Sequence, residues 1–550
     1  MNASVRIIYE VNGEVFKASS LETEHFIIKT QNDNNSFSAY INAFVPLKIK
    51  DFSIKTPYKY SPSDKIFVNG YQSWTDSLEY SPDEKMSEQS KLIEFMIMKS
   101  PIKLIGMNKS GDNLFHKYPR QQGIFYGWSY GYVRHGDSID LFASLDERCG
   151  YTIVTFDVNG GFVTLGKELE GVTFEGEKKL AQFVNICGGY DEVFDKYFAL
   201  LGVECLENKR RNGYTTWYNY YGGVTQNDVM RDLNSISKID AEIDCFQIDD
   251  GYQTKVGDWL STDKKKFPDG MKSIADSIHS KGMTAGLWLA PFAAVASSQI
   301  FKNHRDWFIK DENGKPYKTG HNWGGFYSLD IYNEGAREYI KNVFDVVLND
   351  WGYDLVKLDF LYGACVLPMH NKTRGEIMCD AMDLLRECVG DKLILGCGVP
   401  LMPAFGKVDY CRIGSDIALN WKAKKHLMRE DVSTTHAVCN AIFRRHLDGR
   451  AWLNDPDVFL LRDTNIKTTF EQRKLLAKLN SIFGNLLFIS DDAAQYNKEQ
   501  LGVLLEAFDK KQYTVSRAEF IEKNIMDIDY TVNGEAAHLK FNIATGERLD

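Results

Sequence analysis

The order of apolar and polar residues changes character near residue 205. Upstream, short runs such as SVRIIYEV, HFIIKT, GIFYGWSYGYVRHG, IDLFASL, YTIVTFDV and FVTLGKEL are rich in β-branched and aromatic residues and broken by Gly, Asn and Asp. Many short strands at this spacing predict a large N-terminal antiparallel β-sandwich over residues 1–205. It closes on an amphipathic helix within KLAQFVNICGGYDEVFDKYFAL (179–200) that bridges to the next segment.

From residue 206 to 508 strand-like runs alternate with helical periodicity. Eight strands are predicted: GYTTWYNYY (213–221), IDCFQIDDGY (243–252), MTAGLWLAPF (283–292), DLVKLDFL (354–361), KLILGCGVP (392–400), YCRIGSDI (410–417), AWLNDPDVF (451–459) and LLFISDD (486–492). The clearest helix lies between the third and fourth, with Ala336, Tyr339, Ile340, Val343, Phe344 and Val347 on one stripe. Eight βα repeats predict a closed (β/α)8 TIM barrel, an α/β architecture. An open doubly wound sheet is the alternative, and no GxGxxG follows the first strand to support it. Residues 509–550 return to short strands and predict a small C-terminal antiparallel β domain.

A barrel carries its chemistry where the strands end, and here the polar residues do come late in each strand. Trp217 and Tyr218 follow the first, Asp249 and Asp250 the second, Trp288 the third, and Lys357 and Asp359 the fourth. Cys397 falls on the fifth, Arg412 and Asp416 on the sixth, Asn454 and Asp455 on the seventh, Asp491 and Asp492 on the eighth. Aspartates after strands are ordinarily turn or helix-cap residues, the reading preferred for Asp491, Asp492 and the NDPD stretch. Trp217 and Trp288 read equally well as core aromatics at the barrel mouth. Charges inside strands are harder to explain that way. Lys357 and Asp359 leave one face of their strand, as do Arg412 and Asp416, and an unpaired buried charge is costly. A structural ion-pair network is one explanation. The other is a carboxylate pair for retaining glycoside hydrolysis, with Asp359 as the nucleophile, its pKa lowered by Lys357, and Asp416 as the acid/base. Arg412 complicates the second role, because it favours the ionised form of Asp416. The consecutive acids of FQIDDGYQTKVGDW can grip neighbouring sugar hydroxyls, and a 13% aromatic content supplies ring-stacking walls.

The series IDDGYQ, GDW, LVKLDF, GCGVPL and CRIGSD resembles the α-galactosidases of glycoside hydrolase family 36, in the compact group of about this length. The resemblance covers nearly the whole chain, including the sandwich, barrel and C-terminal β layout. It implies Asp359 as nucleophile and Asp416 as acid/base. It further implies Asp249 and Asp250 on the galactose 4- and 6-hydroxyls, Lys357 on ring hydroxyls beside the nucleophile, and Cys397 and Arg412 near the 2-hydroxyl. NGYQSWT looks like the family loop whose tryptophan, here Trp74, reaches over the barrel mouth, although a place in the sandwich core is equally compatible with the sequence. Cys411 receives no role beyond packing.

The leading expectation is a retaining α-galactosidase acting on oligosaccharides such as melibiose or raffinose. An α-galactosyl transferase of the raffinose-synthase type, an α-N-acetylgalactosaminidase and a silent sugar-binding protein are the alternatives.

Composition narrows the partners. The chain has 550 residues, 44% hydrophobic and 25% charged, with a formal charge of −10, a soluble multidomain profile. The acidic balance opposes a nucleic-acid surface. The start MNASVRIIYEVNGEVF lacks a secretory pattern, and no apolar run approaches the ~18 residues of a membrane span, so a cytoplasmic protein without membrane partners is expected. Ten scattered cysteines predict free thiols. The eleven histidines form no HExxH or zinc-spaced cluster, so no metal or other cofactor is expected. No oligomeric state is assigned. The connection 293–332 is long enough to imply either a functional element or a capping subdomain.

Overall fold

The structure is a computed structural model that describes residues 4–33, 35–86, 109–112, 115–117, 119–421 and 428–550. Its centre is the expected parallel barrel. Eight strands run Arg211–Thr215, Cys245–Ile248, Thr284–Leu289, Leu355–Leu358, Leu393–Gly396, Tyr410–Arg412, Leu453–Asp455 and Leu486–Ile489. Each hydrogen-bonds in parallel to the next through the seventh, and the first pairs with the eighth. The circle closes by an unexpected device. The seventh strand breaks after Asp455, and its continuation, Val458–Phe459, pairs with the eighth. Pro456 lacks the N–H a continuous ladder would need, and Asp457 sits at φ 76°, so the chain turns from one neighbour to the other.

The first strand is shorter than its apolar run predicts. Residues Trp217–Tyr220 form a helical turn instead. Tertiary partners override the strand preference of this aromatic stretch: the Tyr218 hydroxyl donates to Asp457, across the barrel mouth. The predicted helix between the third and fourth strands spans Glu334–Asp345, capped by Asn333, whose side chain accepts from the Ala336 N–H. Ala336, Ile340, Val343 and Phe344 form its buried stripe.

The N-terminal strands join in one twelve-stranded antiparallel sheet. Two long strands, Ser36–Pro57 and Thr173–Gly189, hold it together. Ser36–Pro57 pairs with Phe26–Asp33 over its first half and with Ser4–Val11 and Phe162–Lys167 over its second, and register shifts in Thr173–Gly189 bend that strand. Helix Tyr190–Leu201 follows directly. Four antiparallel strands lie at the other end, between Tyr513 and Arg548. An ion pair of 2.7 Å between Arg134 and Glu519 ties this sheet to the N-terminal one.

The 293–332 connection contains its own antiparallel sheet, with Phe326–Ser328 between Ala293–Val295 and Lys318–Gly320. Among the described residues no helix is long and apolar enough to cross a membrane.

Candidate active site

The strand ends surround a cavity of about 220 Å³, smaller than the roughly 300–1,000 Å³ of drug-sized ligand sites and on the scale of one sugar ring. Its lining includes Trp74, Asp249, Asp250, Trp288, Lys357, Asp359 and Asp416, all singled out from the sequence. Cys397 and Arg412 are buried and stand behind the wall.

Asp359 occupies the end of the fourth strand and is 8% exposed. Trp288 Nε1 donates to its Oδ2 at 3.0 Å, and the Phe360 N–H donates to its Oδ1 at 2.8 Å. Phe360 adopts φ 54° to make that contact, a left-handed conformation uncommon for a bulky residue. Burial pushes the Asp359 carboxyl up from its ordinary range, opposed by Lys357 and Trp288, while Asp416 adds to the rise.

Here the structure corrects the expected pairing. The ion pair of Lys357 is with Asp249: Nζ donates to Oδ2 at 2.8 Å, both side chains being nearly inaccessible. Burial works against the Lys357 ammonium, but Asp249, Cys397 and Asp359 overcome it, and its pKa ends above the ordinary value. Lys357 therefore draws the Asp359 pKa downward only from a distance, and burial prevails. Lys357 and Asp359 share a face as expected, but the second strand supplies the lysine's partner.

Asp249 also accepts from Gln247 Nε2 at 2.9 Å, and its Oδ1 takes the Asp250 N–H at 2.9 Å. Asp250 Oδ1 accepts from Gln253 at 2.6 Å and its Oδ2 from Trp323 Nε1 at 3.0 Å. Burial pushes the Asp250 carboxyl upward, with Gln253 and Trp323 opposing. Each acid is thus fixed by side-chain or backbone donors and keeps further lone pairs for a ligand.

Trp74 arrives from the N-terminal sheet, reaching the barrel mouth as its loop motif implied. Its indole lies edge-on to Phe360, centroids 5.2 Å apart, and Nε1 donates to Cys397 Sγ at 3.4 Å. Buried Arg444 holds the loop, donating to the carbonyls of Ser73 (2.6 Å), Gln72 (3.1 Å) and, on the barrel, Ile413 (2.7 Å). Gly398, at φ 55°, makes room: a Cβ there would lie 2.8 Å from Trp74 Cζ2.

Besides Glu430 and Asp431, which also line the cavity, two contributors escaped the reading of the sequence. Trp323, in the long third connection, stands 4.7 Å from Phe360 and 6.1 Å from Trp288, centroid to centroid. Its signal was the unusual length of that connection. The NDPD stretch was the second. Asp455 and Asp457 do not serve merely as turn or cap residues, because both face Arg412, at 3.4 and 2.7 Å. Asp492 does cap a short turn, accepting from the Ala494 N–H, and Asp491 pairs with Arg462 at 2.9 Å. Trp217 lines the cavity.

The family described as Melibiase matches residues 214–372. A galactosaminidase of Flavonifractor plautii, the A type blood alpha-D-galactosamine galactosaminidase, is 32% identical over 155 residues, 26% of this chain and 14% of its own length. An alpha-galactosidase of Escherichia coli is 28% identical over 151 residues, 26% of this chain and 20% of its own. These alignments thus span a fifth or less of those relatives. Among solved structures, TtGalA, the alpha-galactosidase from Thermus thermophilus in complex with stachyose, superposes with a TM-score of 0.69 at 26% identity. The match covers 88% of this chain and 99% of that one. AgaA, the GH36 alpha-galactosidase from Geobacillus stearothermophilus, shares the fold at 13% identity and a TM-score of 0.59, over 90% of this chain and 70% of that one. The melibiase match thus falls on the first four barrel strands, and the fold is shared with these alpha-galactosidase structures over most of this chain.

Proposed function

We propose that the protein is a retaining glycoside hydrolase that releases terminal α-linked galactose from α-galactosides of the melibiose and raffinose type. The observation that carries this reading is the meeting of Asp359 and Asp416, from the fourth and sixth strand ends, in one ring-sized cavity walled by tryptophans. The other charges fit a neutral polyol. Asp249, Asp250 and Asp431 line the cavity beside Lys357, an acidic lining that disfavours phosphorylated sugars and offers acceptors to hydroxyl donors.

The chemistry then divides between the carboxylates. Asp359 attacks the anomeric carbon while Asp416 delivers its proton to the departing glycosidic oxygen, which leaves as an alcohol. Asp416, now ionised, takes a proton from water as that water displaces Asp359 and frees galactose with its original anomeric configuration. Ionised Asp359 is needed for attack. The field of Lys357 and the N–H donors of Trp288 and Phe360 favour that form, and burial, which raises the pKa, makes the carboxylate a stronger nucleophile once formed. Asp249 and Asp250 would grip hydroxyls on the far side of the ring, and Trp74 would close over it. The ten free thiols support a reducing, cytoplasmic location for this activity.

Paired nitrophenyl α-galactoside and α-N-acetylgalactosaminide substrates test the glycone. Release from the galactoside at a kcat/KM well above the other is expected, and no release from it refutes the assignment. For the roles, Asp416→Ala should reduce turnover of melibiose far more than that of an activated aryl galactoside; equal losses would point to another acid.

A further inference from the structure

The Asp416 side of the cavity rests on a charge cluster that the division of labour above leaves unexplained. Arg412, 4% exposed, reaches three carboxylates: Nη1 lies 2.8 Å from Asp416 Oδ1, Nη2 2.7 Å from Asp457 Oδ1, and Nε 3.4 Å from Asp455 Oδ2. Asp455 and Asp457 come from the break in the seventh strand and are almost inaccessible. Asp457 has a second attachment to the acid. Its Oδ2 accepts the N–H of Ile417, the residue after Asp416, at 2.8 Å, together with the Tyr218 hydroxyl.

A lone arginine beside Asp416 would strip it of its proton, because an opposite charge favours the ionised carboxylate. That would disable a general acid. In this cluster the guanidinium already faces two other carboxylates, so its positive charge is neutralised before Asp416 is counted.

We propose that Asp457 is a positioning residue for proton transfer: it neutralises Arg412 and anchors the chain at Ile417, so that Asp416 can hold a proton where the leaving oxygen arrives. The proposal rests on the reading of Asp416 as acid/base. During glycosylation the Asp416 proton moves to the glycosidic oxygen as the carbon–oxygen bond breaks and the Asp359 ester forms. The Asp416 carboxylate left behind pairs with Arg412 Nη1 until water returns the proton.

The surrounding charges agree. Burial pushes the Asp457 carboxyl up to about 6; Arg412 and Tyr218 oppose the rise, and Asp416 and Asp455 add to it. Asp416 also faces Asp359 and Cys397 from the fourth and fifth strand ends and Tyr221 from the turn after the first. Lys357 and Arg412 repel one another. Asp457 is thus the buried anion in contact with Arg412 that also holds the backbone of the acid.

The test is the pH dependence of kcat/KM for the full chain on melibiose and on an activated aryl α-galactoside. Asp457→Asn keeps a residue that tolerates a left-handed backbone, removes the charge and exchanges one acceptor oxygen for an NH2 donor, while its remaining oxygen can still accept the Ile417 N–H. Without that anion Asp416 loses its proton more readily, so the basic limb on melibiose should fall by about one pH unit. The kcat on melibiose should drop at least tenfold, with less loss on the activated substrate and little change in KM. A folded Asp457→Asn protein whose basic limb stays in place overturns the proposal, whatever its kcat. Should that variant not fold, Tyr218→Phe decides. Losing the hydroxyl favours the neutral form of Asp457 and should move the limb in the same direction by less, and an unmoved limb overturns the proposal. Asp416→Ala separates the two claims. If it retains melibiose turnover, the acid/base reading falls and the proposal with it. If it abolishes turnover while the Asp457→Asn limb stays in place, the proposal alone falls.

Discussion

Replacing Lys357 by methionine removes one positive charge from a cavity lined by five aspartates. The pair with Asp249 is 2.8 Å long and almost fully buried. Coulomb's law at an effective dielectric of about 20 gives an attraction of about 6 kcal/mol at that distance, and breaking one partner of a buried pair costs about 3–5 kcal/mol once desolvation is counted. Part of this loss falls on folding and part on the site, where Asp249 is left without its cation and Asp359 without the positive field that opposes its burial. The Asp359 carboxyl, already above its ordinary range, rises further. The acidic limb of kcat/KM, below which the nucleophile is protonated, should therefore move to higher pH by about one unit, and kcat/KM at its optimum should fall by about 10² to 10³, the equivalent of 3–4 kcal/mol. The assay is the pH profile on nitrophenyl α-galactoside, with urea unfolding to report the stability loss. A folded Lys357→Met protein with an unmoved acidic limb and kcat/KM within tenfold of the parent would show that the lysine does not support the nucleophile.

Other contacts make narrower predictions. Gly398→Ala, at φ 55° with Trp74 Cζ2 2.8 Å and the Phe360 nitrogen 3.0 Å from its new Cβ, should displace the Trp74 loop and raise KM at least tenfold in steady-state assays. Trp323→Phe keeps a ring against Phe360 but removes the N–H donated to Asp250; a hydrogen bond to a charged acceptor contributes about 1.5–3 kcal/mol, so galactose affinity by calorimetry should weaken about 10- to 100-fold. Arg444→Met leaves the carbonyls of Ser73 and Ile413 without this donor, and at about 1–3 kcal/mol for each buried group left unsatisfied it should lower the unfolding midpoint substantially.

The fold was legible because period-two and period-3.6 patterns alternate cleanly from residue 206, and the positions of the eight strands follow from them. Local periodicity could not show where a strand breaks. The seventh divides at Pro456 and Asp457 because its two halves serve different neighbours, a demand set by barrel closure. The site was legible in its parts and less so in its pairings. Lys357 and Asp359 are intrusive charges on one face of an apolar strand, visible in ten residues. That the lysine binds Asp249 depends on register across the third strand, where Trp288 stands beside Lys357. Asp457 was hidden for a related reason. An aspartate beside a proline reads as a turn, and only Arg412, 45 positions earlier in sequence but 2.7 Å away in space, gives it another meaning.

If Asp359 is the nucleophile, it forms a covalent bond to galactose during turnover. Incubating the protein with 5-fluoro-α-galactosyl fluoride, whose slow second step lets the ester accumulate, followed by peptic digestion and mass spectrometry, tests this directly. One fluorogalactosyl group per chain is expected, on the peptide containing LVKLDF and at Asp359. A label on any other carboxylate, or turnover of the reagent with no covalent adduct and inversion at the anomeric carbon, would contradict it.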